Sequence, residues 1–285
     1  MEKIAVLIDS TSFLSEELKK ELDIRTVYLN IVINNHSYKE IIDMTADKYY
    51  EYLRDTNNSF PTTSQPAIGE VVACLEKLKE EGYTDVIAIA LSSGISGACS
   101  SYTVAGLMVD GINVHPFDSE VSCKPEGWYA IKAANLIKEG KNSNQIISAL
   151  NEMKKVSKAY FMADDLSHLQ RGGRLSGAQA LVGSLLQVKP LLHFEDKIIV
   201  PFQKIRTYKK VVLRMYELFD EFYQEHKGEN IHVCVLHVDA IEKAHEIKEY
   251  LEDKYPDITI EIDVISPVIS THLGLGAIGF GWTIL

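Results

Sequence analysis

The feature that most constrains this chain is a repeated alternation of short β-branched runs with longer amphipathic stretches. Strands buried on both faces read as continuous apolar runs, whereas the helices that connect them carry an apolar stripe. The pattern starts at Ile4 to Ile8, continues through Glu16 to Leu22 and Thr26 to Ile33, and reaches a helix-like stretch from Ala46 to Arg54. The clearest unit follows: helix Ile68 to Glu80, strand Val86 to Leu91, a tight turn at Ser92, Ser93 and Gly94, and helix Ser96 to Leu107. Strand Ile112 to Phe117 and helix Pro125 to Lys138 extend it. Successive crossovers of this kind predict a parallel, doubly wound sheet.

After about Lys158 the rhythm changes. Strand Ala159 to Ala163, a break at Gly172 and Gly173, an apolar helix from Ala178, and a hairpin folded at Glu195 and Asp196 predict a mixed sheet. Helix Val211 to His226, strand Ile231 to His237, helix Ile241 to Lys254 and strand Ile258 to Ile265 complete it. A chain of 285 residues has room for two such units. The expected fold is therefore α/β with two lobes: an N-terminal parallel-sheet doubly wound domain (1–157) and a C-terminal mixed-sheet α/β domain (158–285). The boundary falls near Val156, and a ligand is expected in the cleft between the lobes.

Composition excludes several classes. With 46% hydrophobic and 24% charged residues the chain is neither disordered nor membrane-embedded in character. Apolar runs such as Val86 to Leu91 and Leu181 to Leu186 are far shorter than the roughly 20 residues of a spanning helix. Ala5 to Ile8 is too short for the core of a secretion signal and reads as the first strand. Cys74, Cys99, Cys123 and Cys234 form no Cys-x-x-Cys pair, so reduced thiols in a cytoplasmic protein are expected. A net charge of -11 opposes binding to nucleic acid and to anionic lipid, leaving at most transient membrane contact. The one basic cluster, Lys204, Arg206, Lys209, Lys210 and Arg214, reads as a solvated helix start.

Four segments carry polar groups suited to chemistry. Ser92 to Gly97 lies between a buried strand and a helix, where open α/β sheets place ligands and where helix N-termini attract anions. Ser93 and Ser96 are its candidate ligands, and Ser96 is equally a helix cap. Gly94-Ile95-Ser96-Gly97-Ala98 is also one residue from the elbow that exposes a nucleophilic serine. With Asp118 or Asp164 and then His272 downstream, it supports an alternative reading as a serine hydrolase of lipid or acyl esters.

Pro61-Thr62-Thr63-Ser64-Gln65-Pro66 reads as a stiff hydroxyl-rich loop that either caps the next helix or turns Thr63 toward the Ser96 turn. Gly172-Gly173-Arg174 joins two permissive glycines to a guanidinium, in the cleft or in water. Arg206 has the same two options. Ile269 to Gly279 reads as a glycine-rich turn carrying His272, as a structural or a ligand-facing residue. His232 and His237 face opposite sides of one strand, so no metal is expected, and no motif calls for a cofactor.

In this order, Ile8-Asp9-Ser10-Thr11, the Pro61 to Pro66 segment, Ser92 to Gly97, Gly172-Gly173-Arg174 and the His272 segment resemble the DegV family over nearly the whole length. The resemblance implies a two-lobed binding protein for a long-chain fatty acid. It also implies that the protein serves as a subunit of a fatty-acid kinase, whose separate catalytic subunit makes an acyl phosphate for phospholipid synthesis. By that likeness Thr63 and Ser96 hold the carboxylate, Arg206 and His272 complete the network, and Arg174 and Ser93 join the ligand-binding set. Leu273 departs from the family's usual threonine. Independently of the likeness, burying a sixteen-carbon chain at about 0.8 kcal/mol per methylene gives roughly 12 kcal/mol before ordering costs. The apolar stretch Ala178 to Leu192 is a candidate tunnel wall or ordinary core.

Overall fold

The computed structural model describes residues 2–175 and 189–285. Most of the apolar helix read from Ala178, with the tunnel wall assigned to it, lies outside the described residues.

The parallel sheet has strand order β2-β1-β6-β7, formed by β1 (Ile4–Asp9), β2 (Ile24–Val27), β6 (Asp85–Ala90) and β7 (Asn113–Asp118). All its pairings are parallel. Every residue of β1 and β6 is buried, which is why their sequences read as unbroken apolar runs rather than alternating ones. The helices of this half are α1 (Glu16–Glu21), α2 (Ala46–Arg54), α3 (Ile68–Glu80), α4 (Ala98–Met108) and, after β7, α5 (Lys124–Lys138). In α3, Val71, Leu75 and Leu78 are fully buried at one-turn spacing, the stripe that marks a helix lying on a sheet. A capping box at Asn142 and Gln145 starts α6 (Ser143–Val156).

The mixed sheet has order β10-β9-β8-β13-β11-β12. Its strands are β8 (Lys158–Met162), β9 (Leu191–Glu195), β10 (Ile198–Gln203), β11 (Ile231–His237), β12 (Ile260–Val264) and β13 (Ile278–Ile284). Only β11 and β12 run parallel. The helices of this half are α7 (Ser167–Arg171), α8 (Tyr208–Glu225), α9 (Ile241–Lys254) and α10 (Pro267–Leu273), of which α7 and α10 pack on each other. Alternate residues of β11 serve two cores. Val233 and Val235 join Phe219, Tyr255 and Trp282 beneath α8 and α9, whereas Cys234 and Leu236 join a core that continues into the parallel sheet.

Four expectations need correction. Thr26 to Ile33 is two strands in different sheets: β2 ends at Val27, and β3 (Asn30–Ile33) turns through Asn34 and Asn35 into β4 (His36–Lys39). Both turn residues have positive φ, 50° and 64°, as a tight hairpin requires. Thr62 to Ser64 is not a free loop but β5, paired with β3 through Ile31 and Thr63, which completes a three-stranded sheet. At the C-terminus, Ile269 to Gly279 is not one turn: His272 sits in the last turn of α10, and β13 begins at Ile278. Gly279 and Gly281 break the strand pattern in the sequence. Gly281 is needed because a Cβ there would lie 2.8 Å from Pro125 Cγ, where α5 crosses the sheet. The β9–β10 turn lies at Asp196 and Lys197, one residue later than read.

Candidate functional site

A cavity of about 360 Å³ lies between the two sheets. Its apolar lining comes largely from the mixed sheet, with Tyr160, Phe161, Phe194, Leu236 and Phe280, together with Leu29 and Leu91 from the other side. Its polar lining is Thr63, Ser64 and Gln65 around β5, Ser96 and Gly97 before α4, Arg174 after α7, and His272 on α10.

Most of these polar groups are held by a neighbour. Thr63 Oγ1 is 2.8 Å from His272 Nε2. Ser96 Oγ accepts the Ala98 N–H at 3.3 Å, while Gly97, which has no side chain to cap with, occupies the N-cap of α4. Gln65 does not cap α3 but donates to Ser101 Oγ at 2.8 Å. The Arg174 Nε donates to the Ile95 carbonyl at 3.1 Å, which brings the guanidinium beside the Ser96 turn. Gly172 lets α7 close on the imidazole, since a Cβ there would come within 2.2 Å of His272 Nδ1. Burial, reinforced by Arg174 and His168, pushes the His272 ring down to about 4, so the imidazole is neutral at pH 7. Its Nδ1 is buried without a hydrogen-bond partner among the described residues.

Of the six ligand residues read from the sequence, Thr63, Ser96, Arg174 and His272 line this cavity. Ser93 and Arg206 do not. Ser93 is exposed, and its hydroxyl and N–H both go to Asp118. Burial acts to raise the Asp118 carboxyl, but the Ser93 bonds and Lys197 at 3.1 Å outweigh it and hold the group low. Arg206 is exposed on the bend before α8, because the preceding Ile205 turns into the core and carries the chain's inward-facing side chain there. The hydrolase constellation is not assembled: His272 bonds Thr63 rather than Ser96, and Asp164 is paired with Lys189 and Lys243.

A second group of polar residues was not singled out from the sequence as a site, and it lies directly behind the cavity wall. Asp9, at the carboxyl end of β1, accepts from Thr11 N–H at 3.0 Å, Thr11 Oγ1 at 2.6 Å and Leu91 N–H at 2.8 Å. Thr11 Oγ1 is also 2.9 Å from Glu126 Oε2. One hydroxyl proton cannot serve both carboxyls, so the second contact carries the Glu126 proton. Burial first, and then the Asp9 charge, raises Glu126 well above the carboxylate range. Glu40 accepts from Ser10 Oγ at 2.5 Å and from Val268 N–H at 2.9 Å, and burial raises it to about 7. Asp9-Ser10-Thr11 is visible as a motif at a strand end. Glu40 carries no such signal, because a lone acid beside Ile41 and Ile42 reads as a surface residue.

Among the described residues no helix is long and apolar enough to cross a membrane. Among the same residues no group of three or more His, Cys, Asp or Glu is arranged to hold a metal.

A family model described as "Uncharacterised protein, DegV family" matches residues 3–284. Protein DegV of Bacillus subtilis is 50% identical over 280 residues, covering 98% of each chain. The solved structure of DegV from Bacillus subtilis, described as a fatty acid binding protein, superposes with a TM-score of 0.94 at 49% identity over 100% of both chains. A fatty acid binding DegV family protein from Streptococcus agalactiae gives 0.92 at 30% identity, again over 100% of both. Likeness of sequence and of fold, running from one end of the chain to the other, makes this protein a member of the DegV family.

Proposed function

We propose that this protein binds a long-chain fatty acid in the cavity between its sheets. The acyl tail lies among Phe161, Phe194, Leu236, Leu29 and Leu91, and the carboxylate lies at Thr63, Ser96 and His272 with Arg174 beside them. One observation carries the reading: a 360 Å³ cavity joins an aromatic and aliphatic lining to a group of hydroxyls with no carboxylate among the described lining residues. The relatives described as fatty acid binding proteins support the ligand class.

The chemistry of the polar group fits an anion. With the imidazole neutral and its proton on Nε2, His272 donates to Thr63 Oγ1. The Thr63 hydroxyl proton is then free to donate to the ligand, as is that of Ser96, and the Arg174 guanidinium adds positive charge. The tail supplies affinity and this group supplies orientation.

On the same reading the protein is the non-catalytic partner in an acyl-phosphate-forming reaction, with lobes 1–157 and 158–285 enclosing the acyl group while a separate kinase subunit transfers the phosphoryl group. Arg206, exposed at the margin of the mixed sheet, is then assigned to kinase docking and not to the carboxylate. Phosphoryl transfer depends chiefly on positioning and charge, which a carrier can provide by holding one oxygen outward.

The test is solvent extraction of purified protein with mass spectrometry, followed by titration with palmitate. One acyl chain per protein, unhydrolysed, is the expected result. Protein that yields no acyl chain and takes up no palmitate overturns the reading. The kinase half is checked separately: Arg206→Ala and His272→Ala should still take up palmitate yet fail to support acyl-phosphate formation with a fatty-acid kinase catalytic subunit. Full turnover by both variants contradicts their assignment.

A further inference from the structure

Helix α10, which carries His272, belongs by sequence to the C-terminal half but is gripped by side chains of the N-terminal half. Glu40, immediately after β4, accepts the Val268 N–H at 2.9 Å and the Ser10 hydroxyl at 2.5 Å. Tyr50 of α2 donates its hydroxyl to the Ile265 carbonyl at 2.6 Å, just before the helix. The Tyr49 hydroxyl is 2.5 Å from Thr271 Oγ1. Thr271 already donates its own proton to the Pro267 carbonyl at 2.9 Å, so Tyr49 is the donor in that pair. The helix packs on β3, β5 and α2 as well as on α7.

Glu40 and Tyr49 are 0% exposed and Tyr50 is 3% exposed, so each polar atom has been taken out of water to make its one or two bonds. The backbone beside Glu40 is strained: Ile41, a β-branched residue, has φ 71°, a conformation such residues rarely adopt. Strain of this kind persists only where surrounding structure fixes it, and it concentrates at functional sites. The anchors fall at Val268, one turn before His272, and at Thr271, the residue before it. On the far side, Gly172 closes on the imidazole with no room to spare.

We infer that Glu40, Tyr49 and Tyr50 are positioning residues that dock α10 on the N-terminal half and so hold His272 Nε2 on Thr63, making the carboxylate end of the cavity a preassembled unit. The inference rests on the reading of the cavity as a fatty-acid site. It differs from ordinary core packing in one respect: loosening the dock should disturb the headgroup more than the tail.

The experiment uses Tyr49→Phe, which removes one hydroxyl and keeps the ring, with Glu40→Gln and Glu40→Ala. Two readouts are taken: affinity for palmitate relative to 1-hexadecanol, which has the same tail and no carboxylate, and the His272 ring resonances of ligand-free protein. Tyr49→Phe should lower the palmitate to hexadecanol ratio by about fivefold, the effect of one lost hydrogen bond, and shift the ring resonances. Glu40→Gln, whose carbonyl still accepts the Val268 N–H, should stay near wild type, while Glu40→Ala follows Tyr49→Phe. An unchanged ratio with unmoved ring resonances in Tyr49→Phe overturns the inference, as does a Glu40→Gln protein as impaired as Glu40→Ala. Wild-type protein that binds no palmitate, with ring resonances that still shift in Tyr49→Phe, discards the ligand reading and upholds the dock.

Discussion

Two polar regions, one half-buried and one fully buried, lie on either side of the same cavity wall and are built from opposite chemistry. Facing the cavity, Thr63, Ser96 and a neutral His272 offer hydroxyl and imidazole groups beside the Arg174 cation, with no acid among them. Behind the wall, Asp9, Glu40 and Glu126 crowd together: Asp9 and Glu40 are taken up by Thr11, Ser10 and the N–H groups of Leu91 and Val268, while Glu126 meets Thr11 through Oε2 alone. A region that holds its own carboxylates has no donors left for another. A region of donors without an acid is incomplete until an anion arrives. The inner region is thus a fastening between β1, the hairpin and α10, and the outer one has the chemistry of the proposed ligand site.

Removing Asp9 should give the largest effect. Asp9→Ala strands the buried Thr11 and Leu91 N–H groups, so stability should fall by roughly 3 to 5 kcal/mol. Urea unfolding measures it, and a loss below about 1 kcal/mol would place the fastening elsewhere.

The second effect depends on pH. The folded-state pKa of Glu40 is raised from 4.5 to about 7 by burial, opposed by its bonds to Ser10 and Val268 and assisted by the Asp9 charge. Its contribution is fully present below pH 4.5 and is lost as pH rises through 7, on the order of 3 kcal/mol. His272, lowered to about 4, acts in the other direction: its contribution is present above 6.5 and lost as pH falls toward 4. The stability difference between wild type and Glu40→Gln, followed from pH 4.5 to 8, isolates the first of these. A flat difference would show that Glu40 is not held in the environment described.

The third and smallest effect belongs to the outer region. Thr63→Ala should weaken palmitate binding by about 1.5 to 3 kcal/mol while changing stability by less than about 1 kcal/mol. The inner residues should show the reverse ranking. Equal effects of Thr63→Ala and Asp9→Ala on both quantities would erase the distinction between the regions.

Much of the frame was legible because burial writes itself into sequence. β1, β6 and β11 are apolar runs bounded by turns, and α2, α3 and α9 carry clear helical periodicity. β13 was not, because the close crossing of α5 requires glycine where a strand pattern expects a side chain. Thr63, Ser96, Arg174 and His272 stood out as polar residues in turn-like segments, and they converge. Arg206 and Ser93 stood out for the same reason and point elsewhere, since a strand end or a turn fixes where the backbone goes but not which way its side chain faces. Glu40, Tyr49 and Tyr50 act by contacts with α10 more than two hundred positions away, for example Tyr50 with Ile265, and local pattern holds no record of such a contact.

The most direct measurement is the carboxyl resonance of palmitate labelled with 13C at that carbon and bound to the protein. One bound resonance is expected, distinct from that of free palmitate, which moves in both Thr63→Ala and Ser96→Ala and stays in place in Ser93→Ala. A carboxyl resonance that titrates like free palmitate, or one indifferent to Thr63 and Ser96, would contradict it.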